Sequence, residues 1–121
     1  MGKRILAVDD SKTMRDMVSF TLRKAGFHVD EAEDGQKALA VLGAGKFDLI
    51  ITDLNMPNMD GISLIKNVRS GSTHRGVPIL ILTTESDSTK KNDGKAAGAT
   101  GWLVKPFSPE KLVELVQRVC P

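Results

Sequence analysis

Three carboxylates at the ends of two short apolar runs are the residues whose types and spacing could support chemistry. Asp53 directly follows the run at 49–52, and Asp9 and Asp10 follow the run at 5–8. A single aspartate at the end of a strand commonly serves a turn or a helix cap. Two runs that both end in acids are different, because the carboxyl ends of parallel strands share one edge of a sheet. If the two strands are neighbours, three negative charges converge there.

Such a convergence of charge needs compensation. Carboxylates roughly 5 Å apart repel each other by about 3 kcal/mol per pair at an effective dielectric near 20. A protonated carboxylate, a lysine or a divalent cation could offset this repulsion. If a metal does so, an all-oxygen set of ligands favours magnesium or manganese over zinc.

Two further polar residues also end apolar runs. Thr83 follows the run at 79–82, and Lys105 follows the run at 101–104. Each has an ordinary alternative, since Thr83 could cap a helix and Lys105 could be a surface residue before Pro106. Together with the acids they place a hydroxyl and an ammonium at the same edge, which a packed core does not need. Transfer of a phosphoryl group requires such cations and donors, because its equatorial oxygens carry charge.

The periodicity of the chain predicts the elements that position these residues. Short, continuous apolar runs are typical of strands buried on both faces, and they lie at 5–8, 49–51 and 79–82, with weaker candidates at 27–32 and 101–104. Segments of helical periodicity separate the strands and lie at about 14–25, 35–43, 61–68 and 109–119. The crossover at 85–97 is polar and interrupted by Gly94, which predicts a marginal helix.

Several helix ends carry recognisable signals. Ser11 or Asp10 is expected to cap the first helix and Asp34 the second, and Ser108 precedes a proline at the start of the last. Five strands that alternate with five helices predict an α/β fold with a doubly wound parallel sheet and right-handed crossovers. The 121 residues fit a single domain, 1–121.

Composition excludes several classes of function. The 17 Lys and Arg residues are interleaved with 15 acids, as on a solvated surface, so direct nucleic-acid binding is not expected. No apolar run approaches the length that spans a membrane, and the first residues resemble neither a signal nor a transit peptide. The single Cys120 cannot form an internal disulfide. We expect a cytoplasmic protein without membrane insertion.

Four segments together resemble the signature set of response-regulator receiver domains, in particular of their chemotaxis members. They are Asp9-Asp10, the stretch from Asp53 to Gly61 (Asp-Leu-Asn-Met-Pro-Asn-Met-Asp-Gly), Thr83-Thr84-Glu85 and Lys105-Pro106-Phe107. The likeness covers nearly the whole chain. It implies a sheet that has the flavodoxin-like strand order 2-1-3-4-5 and is flanked by five helices.

The resemblance also implies a metal site and a phosphoacceptor. Asp53 is implied as the residue that accepts the phosphoryl group. Asp10, Asp53 and the backbone carbonyl of Asn55 would ligate Mg²⁺ directly, while Asp9 would hold it through water. Mn²⁺ is expected to substitute for Mg²⁺.

A switch is implied beside that site. Thr83 and Lys105 would contact the phosphoryl oxygens, and Thr83 and Trp102 would relay the change to a protein-binding face. Trp102 stands where chemotaxis relatives usually carry tyrosine or phenylalanine, and Thr84 replaces the more usual alanine. Trp102 could equally be an ordinary amphipathic residue at the edge of a strand.

The function expected from the resemblance is a stand-alone, monomeric phosphorylation switch rather than an enzyme. A histidine kinase of the CheA type would donate the phosphoryl group, and a protein such as the flagellar motor switch would be the target. One alternative is a phosphate sink that drains a shared kinase. Another is an aspartate-nucleophile phosphatase of the haloacid-dehalogenase type, which needs an acid two residues after the nucleophile, where this chain has Asn55.

Overall fold

Five strands and five helices alternate along the chain. The computed structural model describes residues 2–84 and 87–120. The strands are β1 (Arg4–Val8), β2 (His28–Ala32), β3 (Leu49–Thr52), β4 (Ile79–Thr83) and β5 (Gly101–Val104). The helices are α1 (Lys12–Lys24), α2 (Gly35–Gly43), α3 (Gly61–Ser70), α4 (Ser88–Ala97) and α5 (Pro109–Val119). The α/β fold predicted from the sequence is therefore confirmed.

The strands form one parallel sheet in the order β2-β1-β3-β4-β5. The chain winds from β1 outward to β2, then crosses back to β3 on the other side of β1. The winding direction therefore reverses between β1 and β3, which is where ligands bind in open α/β sheets. Val8 of β1 lies opposite Ala32 of β2 and Thr52 of β3, so all three strands end at the same edge.

Both faces of the sheet are covered, which explains why the central strands β3 and β4 are apolar without alternation. Residues that point to one face pack with α2 and α3, and these include Leu6, Val8, Ile50, Ile79 and Ile81. Their neighbours point to the other face and pack with α1 and α5, and these include Ile5, Ala7, Leu49, Ile51, Leu80 and Leu82. Alternate side chains of a strand point to opposite faces.

The helices begin at capping residues that satisfy free amide groups. Ser11 rather than Asp10 caps α1 by accepting from the Met14 N–H, and Asp34 caps α2 as predicted. Ser108 caps α5, with Pro109 in its first turn. In the part of the chain that the structure describes, no helix is both long and apolar enough to cross a bilayer.

The polar helix predicted at 85–97 exists, but α4 begins later, at Ser88. Positions 85 and 86 lie outside the described residues. Asp87 caps the helix with its carboxylate, and Gly98 ends it in the left-handed conformation that glycine adopts most easily. Within α4 only Gly94 is buried.

Candidate acidic site at the carboxyl edge of the sheet

Asp9 and Asp53 stand side by side because their strands do. β1 and β3 pair as far as Val8 and Thr52. The Asp53 N–H continues this ladder by donating to the Val8 carbonyl at 3.0 Å, and the Asp9 N–H donates to the Ala32 carbonyl at 3.1 Å. The sheet thus fixes the backbone of both aspartates one residue beyond its regular end.

Three carboxylates meet at this position, as the sequence predicts. Asp9, Asp10 and Asp53 each offer an oxygen, and these oxygens lie within 4.8 Å of one another. The sequence cannot distinguish Asp9 from Asp10, but the fold does. Asp9 is 6% exposed, whereas Asp10 faces solvent and Asp53 lies between these extremes. The site therefore has one buried, one half-buried and one solvent-facing carboxylate.

Lys105 provides the compensating charge. Its Nζ lies 2.7 Å from Asp9 Oδ2 and 3.3 Å from Asp53 Oδ2, and its side chain is only 10% exposed. The Lys105 N–H donates to the carbonyl of Thr83 at 2.8 Å, which fixes the backbone of Lys105 directly after β5. Of the three ways to offset the acids, the fold thus provides the lysine, and it bridges two of the three carboxylates.

The environment of Asp9 makes its ionised form costly. Burial raises the pKa of Asp9, and the neighbouring negative charge of Asp53 acts in the same direction. The Lys105 ammonium and the Ser11 N–H, which donates to Asp9 Oδ1 at 2.9 Å, oppose that rise. A further cation near Asp9 would favour its ionised form in the same way that Lys105 does.

The donor set fits a small, hard divalent cation. Oxygens bound to one Mg²⁺ at about 2.1 Å lie no more than about 4.2 Å apart, so carboxylate oxygens within 4.8 Å of one another are close enough to share an ion, directly or through a water molecule. The donors are all oxygen atoms, which Mg²⁺ prefers. Asp10 would face such an ion from the solvent side, while Lys105 occupies the inner side of Asp9 and Asp53. Asn55 lies exposed in the loop after Asp53, and its carbonyl stays a predicted ligand.

Thr83 and Trp102, the predicted switch residues, lie on neighbouring strands. Thr83 is the last residue of β4 and is fully buried. Trp102 is half-buried on β5, opposite Ile81 of β4 and three residues before Lys105. The fold thus brings Thr83 beside the acidic edge and leaves Trp102 farther down the sheet. Their roles in a switch stay predictions.

Two residues near the site escaped sequence reasoning because their partners are distant in the chain. The Arg15 Nη1 donates to the Asp9 carbonyl at 2.6 Å, and its Nε lies 3.4 Å from Glu31 Oε1. Asn58 adopts a left-handed backbone with φ of 68° and donates to Asp34 Oδ2 at 2.9 Å. Asn tolerates this conformation better than most residues, so the turn after Asp53 carried a signal for Asn58. Arg15 had none.

Hydrogen bonds close the loop that follows Asp53. The Leu54 N–H donates to Asp53 Oδ1 at 2.7 Å, and the Gly61 N–H donates to the Leu54 carbonyl at 2.8 Å. Gly61 packs directly on the Asp53 backbone, and any side chain there would overlap the Asp53 carbonyl oxygen. The carboxylate of Asp53 is therefore held in one orientation at a tightly closed turn.

The site is an open edge rather than a deep pocket. The cavity that Asp9 and Asp53 help to line measures only about 10 Å³. Larger clefts of about 510 and 790 Å³ lie elsewhere, between α1, β2 and α2 and between α1 and α5. A cation and a phosphoryl group can approach such an edge from solvent, but it does not enclose a nucleotide.

Residues 5–117 match the family model described as the response regulator receiver domain. The chain is 41% identical to the chemotaxis protein CheY-3 of Vibrio cholerae over 117 residues, which cover 96% of this chain and 90% of that protein. It is similarly 39% identical to the chemotaxis protein CheY of Pseudomonas aeruginosa, with coverage of 96% and 94%. Both relatives are aligned over nearly their full length.

A solved structure of the same class superimposes closely. The chemotaxis response regulator CheY4 of Vibrio cholerae gives a TM-score of 0.94 at 53% identity, covering 98% of this chain and 99% of that one. This likeness agrees with the strand order and the flanking helices seen here.

Proposed function

The chain belongs to the response regulator receiver domain family, and from that premise we propose that it is a switch that accepts a phosphoryl group on Asp53. Its close homologues are CheY-type chemotaxis proteins. Phosphoryl acceptance is general for this family, and CheY-like regulators act as phosphorylation-dependent switches. In this proposal residues 1–121 act as a single receiver domain.

One observation carries the assignment of Asp53. Its carboxylate is the member of the acidic cluster that lies 3.3 Å from the Lys105 ammonium and is held by the Leu54 N–H. Asp9 is more deeply buried and is paired with Lys105 at 2.7 Å, while Asp10 faces solvent. Asp53 alone combines partial access with a fixed orientation and an adjacent cation, which an attacking carboxylate needs.

The transfer is an in-line displacement at phosphorus. A carboxylate oxygen of Asp53 attacks the phosphorus of a phosphohistidine or of a small acyl phosphate. The bond from phosphorus to the leaving nitrogen or oxygen breaks, and its electron pair stays on the leaving group. Lys105 then lies close to the new phosphoryl oxygens and offsets their charge, because its Nζ already faces Asp53 Oδ2. Later attack by water on phosphorus breaks the bond to the Asp53 oxygen, which restores the carboxylate and releases inorganic phosphate.

Receiver domains bind Mg²⁺ at an acidic pocket, and the cluster of Asp9, Asp10 and Asp53 matches that requirement. In this chain we assign Asp10, Asp53 and the Asn55 carbonyl as direct ligands and Asp9 as a ligand through water. A bound divalent cation would neutralise charge on the transferred phosphoryl group. Mn²⁺ has the same preference for oxygen ligands and is expected to substitute.

The signal is proposed to leave through Thr83 and Trp102. Thr83 ends β4 next to the acidic edge, which supports the proposal that its hydroxyl contacts phosphoryl oxygens on Asp53. Movement of Thr83 would change the packing around Trp102 on the neighbouring strand and bias the indole toward a more buried rotamer. α4 makes few apolar contacts and should repack most readily. The output face would be α4, β5 and α5.

CheY-type receiver domains interact with histidine kinases and with targets such as the flagellar motor switch. For this chain we propose a kinase of the CheA type as phosphodonor and a target that binds the activated form, in the cytoplasm, with the regulator as a monomer. A pull-down with and without a beryllofluoride mimic distinguishes this role from a phosphate sink. A partner retained only by the activated protein supports the switch, and capture of the kinase alone supports the sink.

Phosphorylation with acetyl phosphate and Mg²⁺ tests the central assignment. We expect one acid-stable, base-labile acyl phosphate, which mass spectrometry places on Asp53. Asp53→Asn should not be labelled there, because the amide is not a nucleophile for this step. Asp60→Asn is the matched control, since Asp60 lies in the same loop and caps α3 through its Oδ1. Label on Asp60, or full labelling of Asp53→Asn, would refute the assignment.

A further inference from the structure

Gly94 is an unusual residue for the middle of a helix. It is the seventh of the ten residues of α4, and glycine is, after proline, the poorest helix former. Its backbone is not in the left-handed region, unlike Gly26 and Gly98. Conformation therefore does not explain a glycine at this position.

Space does explain it. A Cβ atom on Gly94 would lie 2.8 Å from Ile81 Cδ1 and 3.2 Å from Trp102 Cζ3, with Trp102 Cε3 at 3.6 Å. Real Cβ atoms almost never make contacts below 3.0 Å, and those between 3.0 and 3.4 Å require the neighbour to move. The edge of the indole and the tip of Ile81 thus occupy the notch that the missing side chain leaves.

The two residues in this notch are directly paired in the sheet. Ile81 of β4 lies opposite Trp102 of β5 in the register of the two strands. Thr83 follows Ile81 by two residues, so both side chains point to the same face of the sheet. Thr83 at the carboxyl edge and Ile81 therefore share the face of the sheet on which Ile81 and the indole meet the one buried residue of α4.

The far end of α4 is anchored independently. Arg69 of α3 donates from Nη2 and Nε to the Gly98 carbonyl at 2.7 and 3.0 Å, and from Nη1 to the Val77 carbonyl. The helix is thus fixed at its carboxyl end, while its middle touches the sheet at the Gly94 notch. A shift of the indole would act on α4 between these two points.

We propose that Gly94 is a positioning residue for Trp102. Its notch accommodates the second ring of the indole, which is larger than the tyrosine or phenylalanine side chain, and it couples movement of the indole to movement of α4. The inference rests on the proposed switch role of Trp102 and extends it to a residue of α4.

The test measures access of a soluble quencher to Trp102, the only tryptophan, in the absence of phosphodonor and Mg²⁺. In Gly94→Ala the added methyl should displace the indole outward and increase acrylamide quenching relative to wild type. Gly43→Ala is the matched control, because Gly43 also lies in a helix but a Cβ there meets nothing within 4 Å. It should leave the quenching of Trp102 unchanged.

A thermal-unfolding cycle with Trp102→Phe separates the indole from general helix effects. Phenylalanine lacks the second ring, so adding Gly94→Ala to Trp102→Phe should raise the melting temperature through better helix formation. In wild type, Gly94→Ala should raise the melting temperature by less, or should lower it. Unchanged quenching in folded Gly94→Ala, or failure of the double variant to fold, would overturn the proposal. Because no phosphodonor is used, failure of Asp53 to accept a phosphoryl group would leave these results intact.

Discussion

Replacing Lys105 with methionine should have opposite effects on folding and on metal binding. Methionine keeps much of the length of the side chain and removes its charge. The Nζ lies 2.7 Å from Asp9 and 3.3 Å from Asp53, which corresponds to gross attractions of about 6 and 5 kcal/mol at an effective dielectric near 20. Desolvation of the three groups cancels much of this attraction. The carboxylates left behind repel each other.

The net cost of removing one partner from such a buried pair is typically 3–5 kcal/mol. Because Asp9 and Asp53 lie at an open edge where water can enter, we expect the low end, about 3 kcal/mol without Mg²⁺. For a domain of this size that is a fall of roughly 10 °C in melting temperature. Mg²⁺ should bind Lys105→Met more tightly than wild type, since no ammonium competes for the same carboxylates. It should therefore restore part of the lost stability.

Circular dichroism melts in EDTA and in Mg²⁺, together with a Mg²⁺ titration, measure both effects. Lys111→Met is the matched control, because Lys111 is exposed on α5 and makes no ion pair within the described residues. Its melting temperature and Mg²⁺ affinity should match those of wild type. If Lys105→Met melts like wild type in EDTA, the bridging lysine does not stabilise the acidic cluster and the reasoning fails.

Two further predictions concern other charged groups. Asp10→Asn should lose most of the affinity for Mg²⁺ in a titration and, without metal, melt slightly higher than wild type, because a solvent-facing charge is removed from a repelling cluster; a lower melting temperature would make Asp10 structural. His74 is buried and its Nε2 accepts the Phe47 N–H at 3.2 Å, and burial lowers its pKa. The unfolded chain then binds more protons than the folded one, so stability is full above the unfolded pKa of about 6.5 and falls as pH drops below it. Urea unfolding at two pH values should show that His74→Gln loses less stability than wild type on acidification; an equal loss would exclude His74 as the cause.

Local patterns in the sequence determined the elements and their order. Continuous apolar runs predicted three strands, because a sheet covered on both faces buries the side chains of its central strands, as for Leu49–Thr52. The other two strands, β2 and β5, were weaker candidates, and their side chains are less buried. Capping residues such as Asp34 and Ser108 act within a few residues of the amides they satisfy, so their roles were also readable. The acids that follow the strands predicted an acidic edge, because parallel strands end together at one edge of the sheet.

The strand order came from family resemblance, because local patterns do not say which strands are neighbours. Only the tertiary structure decided which of the carboxylates at this edge is buried and which faces solvent. Asp9 and Asp10 are adjacent in sequence, yet one is buried against Lys105 and the other faces solvent, because successive side chains leave the end of β1 in opposite directions.

Contacts between segments that are distant in the chain could not be predicted from the sequence either. The bond from Arg15 to the Asp9 carbonyl, the bond from Asn58 to Asp34 and the packing of Trp102 on Gly94 depend on how helices and loops lie on the sheet. Gly94 illustrates the difference most clearly. Local propensity identifies it as an unfavourable residue in a weak helix, whereas in the fold it is a point of close approach between α4 and the indole, and that approach depends on the packing of two strands against a helix.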